Sequence, residues 1–334
     1  MRVKASAPGK MILFGEHSVV YRGSAVVMAI DRRATVYTEK RGDDKVFVNA
    51  DNLGFSGYFD GDEYHPVRGP AWRGRNLAAL NVTTRKTLEY IGVEGGVNLK
   101  VRSMIPIAVG LGSSAAICVA TAGAVEKLFD GGLTREEISN IAFEGETIIH
   151  GKPSGVDNNV STFGGVISYD RLKGIKRHDL SIDMPFIIGN TGKKRSTRKM
   201  VERVAALKER NPALMDRVID NMGDISLRGL DALMKNDIHR LGDLMNINHG
   251  LLAGLGVSTM KLEVLVHTSR QNGALGAKLT GAGGGGCMIA VAREKDIPHI
   301  ERSIRRRKSN SYKVSMTDHG VSSHWVEDRE YADS

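Results

Sequence analysis

The run Gly110-Leu111-Gly112-Ser113-Ser114-Ala115-Ala116, which follows Pro106 and leads into small residues reaching Gly123, has the composition of a phosphate cradle. Its glycines let the backbone approach a ligand without Cβ obstruction. The serines stand where a helix begins, so unpaired N–H groups face an anion. No lysine follows the second glycine, which excludes the Walker A spacing. A cation for the phosphates has to come from elsewhere, and Lys10 can supply it if Pro8-Gly9 makes a turn that points the ammonium back across the sheet. Taken alone, Lys10 reads as a solvated surface charge.

Glu146 lies among Ile141, Ala142, Ile148 and Ile149 at helical spacing, with His150 one turn later on the same face. A carboxylate there can complete an oxygen shell around Mg²⁺ with a serine hydroxyl and nucleotide phosphates. Alone, it reads as a surface glutamate on an amphipathic helix. Asp157, just past a Pro-Ser-Gly turn and before Asn158-Asn159, is expected on a loop and suits a general base for an alcohol nucleophile. Glu16-His17 is either a strand end entering solvent or a pair that fixes a hydroxyl or carboxylate. A second glycine run, Gly281 to Gly286, has apolar arms, so it reads as a tight loop between strands rather than a linker. Together these parts describe Mg²⁺-dependent phosphoryl transfer: a cradle, charge neutralisation and a base or orienting group.

The elements that must hold these residues follow from apolar spacing. Strands are expected at Val3 to Ala7, Ala25 to Ile30, Ala34 to Thr38, Val46 to Ala50, Val97 to Arg102 and Gly164 to Tyr169. Helices are expected at Asn76 to Tyr90 and Ser114 to Phe129, and another opens at Thr134 with a capping box and runs to about His150. The composition turns polar from Arg171 to Ser181, which places a domain boundary near residue 180 and gives domains 1–180 and 181–334. The second is helix-rich, with helices at Ser196 to Arg210, Leu214 to Met234, Asp237 to Ala253 and Ser258 to Asn272. A strand-loop-strand around the second glycine run, a charged helix to about Arg307 and a last strand, Tyr312 to Met316, complete an α+β pattern in both halves.

A chain of 334 residues with 41% hydrophobic content can bury a sizeable core. The polar amino terminus does not resemble a signal peptide, and no apolar run approaches the ~20 residues of a membrane span, so a cytoplasmic location is expected. Cys118 and Cys287 stand apart with no CxxC, as buried thiols do. The net charge of +9 permits an acidic partner. Aromatic content of 5%, with no aromatic residues interleaved in Lys193-Lys194-Arg195 or Arg305-Arg306-Arg307-Lys308, points to a small polyanion rather than nucleic acid.

Three motifs in order give the chain its family likeness: Ser6 to Lys10 running into Gly15-Glu16-His17-Ser18-Val19-Val20, Pro106 to Ala116, and Lys278 to Cys287. The chain resembles the GHMP kinases. Among them it looks most like the mevalonate kinases, through Ala7-Pro8-Gly9-Lys10, Gly-Glu-His-x-Val-Val, and Glu146 to Val160 followed by Ser161-Thr162-Phe163-Gly164-Gly165. Galactokinases open differently, homoserine kinases lack the aspartate matching Asp157, phosphomevalonate kinases generally lack the Glu-His pair, and the related decarboxylases lack the lysine matching Lys10. The resemblance implies a two-domain α+β fold, with an N-terminal domain like the ribosomal protein S5 domain 2 and a ferredoxin-like C-terminal domain with added helices.

The resemblance also implies roles. Asp157 matches the catalytic aspartate that takes the hydroxyl proton, and Lys10 the lysine that stabilises the incipient alkoxide and the phosphates. Ser114 and Glu146 match Mg²⁺ ligands. Ala108, Val109, Gly110, Leu111, Gly112, Ser113 and Ser114 match the triphosphate loop, and Ser103 and Asn52 match positions near the nucleotide. Glu16, His17, Thr197 and Ala282 match positions lining the mevalonate pocket. Ala108 replaces a glycine common in relatives, while Ser18 and Tyr21 replace a common alanine and histidine; neither change touches the catalytic set. The implied reaction is ATP-dependent phosphorylation of the 5-hydroxyl of (R)-mevalonate, by a homodimer, with prenyl diphosphates as inhibitors at the ATP site. The alternatives are another GHMP small-molecule kinase, acting on phosphomevalonate or a sugar, and a catalytically silent GHMP-fold ligand sensor.

Overall fold

Buried Val3, Ala5 and Ala7 alternate with half-buried neighbours, as in a strand with one face on a core. In a computed structural model, which describes residues 1–50, 54–106, 110–151, 153–180, 182–193 and 196–327, that strand is β1 (Arg2–Phe14). It leads through a single helical turn, α1 (Ser18–Tyr21), into β2 (Ser24–Lys40), its antiparallel neighbour. The turn expected at Pro8-Gly9 is instead continuous strand within β1, facing a bulge in β2. Pro8 pairs with Arg33 and Gly9 with Ile30, so Asp31 and Arg32 bulge out of β2, which runs on as one strand rather than the two expected.

After α2 (Gly74–Ile91), β6 (Val97–Ser103) pairs with β2, and β3 (Val46–Ala50), β4 (Phe55–Asp60) and β5 (Glu63–Arg68) extend the sheet beyond it. Three helices follow: α3 (Ser113–Phe129), α4 (Arg135–His150) and the short α5 (Val156–Phe163). The capping box at Thr134 is present, with the Thr134 hydroxyl accepting from Glu137 N–H and the Glu137 carboxylate accepting from Thr134 N–H. β7 (Val166–Asp170) pairs with the start of β2, and β8 (Gly174–His178) lies on β7 within the polar stretch that leads to the expected domain boundary. Its charged side chains are those of an exposed edge strand.

The second half begins with β9 (Phe186–Asn190) and continues through α6 (Thr197–Arg210), α7 (Pro212–Met234), α8 (Ile238–Gly254) and α9 (Met260–Gln271). Then come β10 (Ala274–Thr280), β11 (Cys287–Ala292), α10 (Ile297–Arg306) and β12 (Asn310–Val314). The antiparallel sheet runs β10-β11-β9-β12, the order of a ferredoxin-like sheet, with extra helices between its first two strands in chain order. The chain does not end there. A further strand, β13 (Ser322–Val326), returns to the first sheet and pairs with β1, so the expected division at residue 180 does not separate the two sheets cleanly. One core cluster spans both halves, joining Val3 and Leu13 to Phe186, Ile225, Leu233 and Ile289.

Candidate active site

Lys10 follows the Pro8-Gly9 register shift in β1, is almost wholly buried, and places Nζ 3.0 Å from Asp157 Oδ1. Its backbone N–H donates to Leu111 O at 2.9 Å, which stitches β1 to the first glycine run. Gly112 is required there: a Cβ would fall 2.7 Å from Lys10 Cγ, and its φ of +73° suits glycine. That left-handed residue is the N-cap of α3, so Ser113 and Ser114 occupy the first turn, where backbone N–H groups have no helical partner. The lysine absent from the loop therefore arrives from β1. Ser103, at the end of β6, lies 3.4 Å from Ser113 through their hydroxyls. Asn52, Ala108 and Val109 lie outside the described residues.

Asp157 stands in the first turn of α5, not on the loop expected for it. Gly155, left-handed at φ 77°, starts that helix, and Asn158 fixes it by donating from Nδ2 to Ser139 O and Ser139 Oγ on α4, each at 2.9 Å. The carboxylate is partly exposed, as a group that meets a substrate must be.

Glu146 is buried on α4 and is not the surface glutamate its sequence alone suggests. Gly145 permits this by letting α4 approach closely: a Cβ there would meet Thr83 Oγ1 at 2.2 Å. Burial pushes the Glu146 carboxyl up to about 7, against the pull of a hydrogen bond from Ser114 and with a further push from Asp157, while Lys10 also pulls it down. Its Oε1 has no hydrogen-bond partner among the described residues. His150, for which no role was expected, bridges the pair, with Nε2 3.3 Å from Ser114 Oγ and 3.7 Å from Glu146 Oε2. A buried, partnerless carboxylate oxygen beside a serine hydroxyl is a donor set that fits a hard divalent cation. Among the described residues no cluster of three or more His, Cys, Asp or Glu side chains could hold a metal. Phosphate oxygens would have to complete such a shell.

On the other side, Glu16 and His17 meet the second glycine run. A carbonyl only accepts, so His17 Nε2 donates to Ala282 O, at 2.9 Å. Glu16 does not face solvent: it is buried, ion-paired with fully buried Lys278, and accepts from Asn248 Nδ2 at 3.4 Å. Thr197, the first residue of α6, is exposed. The fold thus brings Lys10, Ser114, Glu146 and Asp157 together, and separately joins His17 to Ala282.

The chain has known relatives. The family model for the GHMP kinase N-terminal domain matches residues 77–165, and that for the GHMP kinase C-terminal domain matches residues 230–310. Mevalonate kinase of Thermococcus onnurineus is 41% identical over 308 residues, covering 88% of this chain and 90% of that protein. The chain belongs to the mevalonate kinase family. Mevalonate kinase of Aeropyrum pernix is 36% identical over 95% of this chain and 97% of its own length. Among solved structures, L. major mevalonate kinase in complex with R-mevalonate superposes with a TM-score of 0.81 at 30% identity, covering 95% of this chain and 96% of that one. As in a mevalonate kinase, the two halves are GHMP domains of mixed helix and sheet. No described helix is long and apolar enough to cross a membrane.

Proposed function

We propose that this chain transfers the γ-phosphoryl group of ATP to the 5-hydroxyl of (R)-mevalonate, giving 5-phosphomevalonate and ADP. The observation that carries the reading is the Lys10 to Asp157 contact of 3.0 Å at the mouth of the glycine loop, inside a mevalonate kinase family chain. Asp157 accepts the proton of the attacking hydroxyl, or holds that hydroxyl in line, as its partial exposure allows. Lys10 sits where negative charge grows on the hydroxyl oxygen and the transferring group, and its burial strengthens that interaction. The first turn of α3, with Gly110 to Ser114 ahead of and within it, offers N–H and hydroxyl donors to the phosphates. Ser114 and Glu146 would hold Mg²⁺, which neutralises phosphate charge and orients the nucleotide. His17, Ala282 and Thr197 line the mevalonate side.

ADP release measured over a panel of mevalonate, phosphomevalonate, galactose and homoserine tests the reading. Turnover confined to mevalonate is expected. Preferred turnover of another acceptor would reassign the substrate, and binding without any turnover would favour a ligand sensor.

A further inference from the structure

The backbone at His17 is a γ-turn of the rare, strained hand. His17 has φ 62° and ψ −43°, and Ser18 N–H donates to Glu16 O across it at 2.7 Å. A β-substituted residue in that conformation persists only where its surroundings over-determine it. The surroundings are on β10 and just beyond it. Lys278 pairs with Glu16, Thr280 Oγ1 donates to Ile12 O at 2.8 Å, and Ala282 O accepts from His17. Three alternating residues therefore grip the segment from β1 to the γ-turn, and Asn248 on α8 holds the second oxygen of Glu16. A fully buried ion pair is weak evidence for stability, because desolvation offsets most of the attraction. Direction is what it supplies.

We infer that Lys278 is a positioning residue: by fixing Glu16 it holds the γ-turn that sets His17 against Ala282 and so shapes the acceptor side of the pocket. This rests on the mevalonate reading for the identity of the acceptor, and it moves Glu16 from contact with substrate to support of His17. The side chains of Lys278 and Glu16 lie fully inside the protein.

The test is a neutral pair of similar volume, Glu16→Gln with Lys278→Met, which leaves no lone buried charge. The parent is assayed first on mevalonate, so that failure of the substrate reading is seen separately. The folded double variant is expected to raise the mevalonate KM by about tenfold, with ATP KM held and kcat changed by less than about threefold. Asn248→Leu, which loosens the other Glu16 oxygen without stranding a charge, is expected to raise the mevalonate KM by about threefold. A purely structural pair would lower the thermal midpoint and leave the mevalonate KM alone. Parental mevalonate KM in the folded double variant overturns the inference; if that variant does not fold, parental KM in Asn248→Leu does so.

Discussion

At Asp157 the carboxylate has a lysine ammonium at 3.0 Å and partial access to solvent, which the proposed orienting and deprotonating role requires. Asp157→Asn keeps the shape and removes the charge. It is expected to lower kcat by about 10²- to 10⁴-fold, the usual loss of a general base, while nucleotide affinity measured by calorimetry stays near parental. Near-parental kcat would take Asp157 out of that role. Glu146 shows what a sequence conceals at this scale. Its neighbours gave it helical spacing, but only packing through Gly145 explains why the carboxyl is buried and pushed up to about 7. His150 was visible one turn beyond it, yet nothing in the spacing told of Ser114 at 3.3 Å.

Among the elements, helices α2, α3, α4 and those of the second half were legible because apolar periodicity and caps survive in a single sequence. The strands were harder. Pro8-Gly9 and Asp31-Arg32 read as breaks, but a bulge absorbs both, and β5 and β8 carry the polar residues of exposed strands. Asp157 was expected on a loop because glycines and a proline surround it; Gly155 in fact starts α5. The β1 segment at Lys10 and the glycine loop act as one device, since Lys10 passes beside Gly112. Gly112→Ala sets a Cβ 2.7 Å from Lys10 Cγ at a left-handed φ, and the displaced ammonium is expected to cost about a hundredfold in kcat/KM. A variant with parental kcat/KM would show that the loop does not set the lysine.

Across the whole molecule, the two sheets are tied by a return of the chain that no local pattern announces. Arg33, half-buried on β2, donates to Ser6 Oγ, Ser6 O, His319 O and Gly320 O at 2.7 to 3.0 Å, fastening the segment that leads into β13 against β1. Arg33→Met leaves these acceptors unpaired and is expected to cost about 3 kcal/mol. In a chain of this size that is about 4 °C of thermal midpoint, readable by calorimetry. No change in midpoint would mean that strand pairing alone holds the return. The motifs announced the family from the chain alone, but the distant pairings, β13 with β1 and Lys278 with Glu16, depend on side chains far apart in sequence that only the fold brings together.

The most direct measurement is phosphorus NMR of the products formed from ATP and (R)-mevalonate. The account predicts a new phosphomonoester resonance, split by the protons of an adjacent methylene and growing in step with ADP, because transfer is to a primary hydroxyl. ADP accompanied only by inorganic phosphate, or no ADP at all, would contradict it.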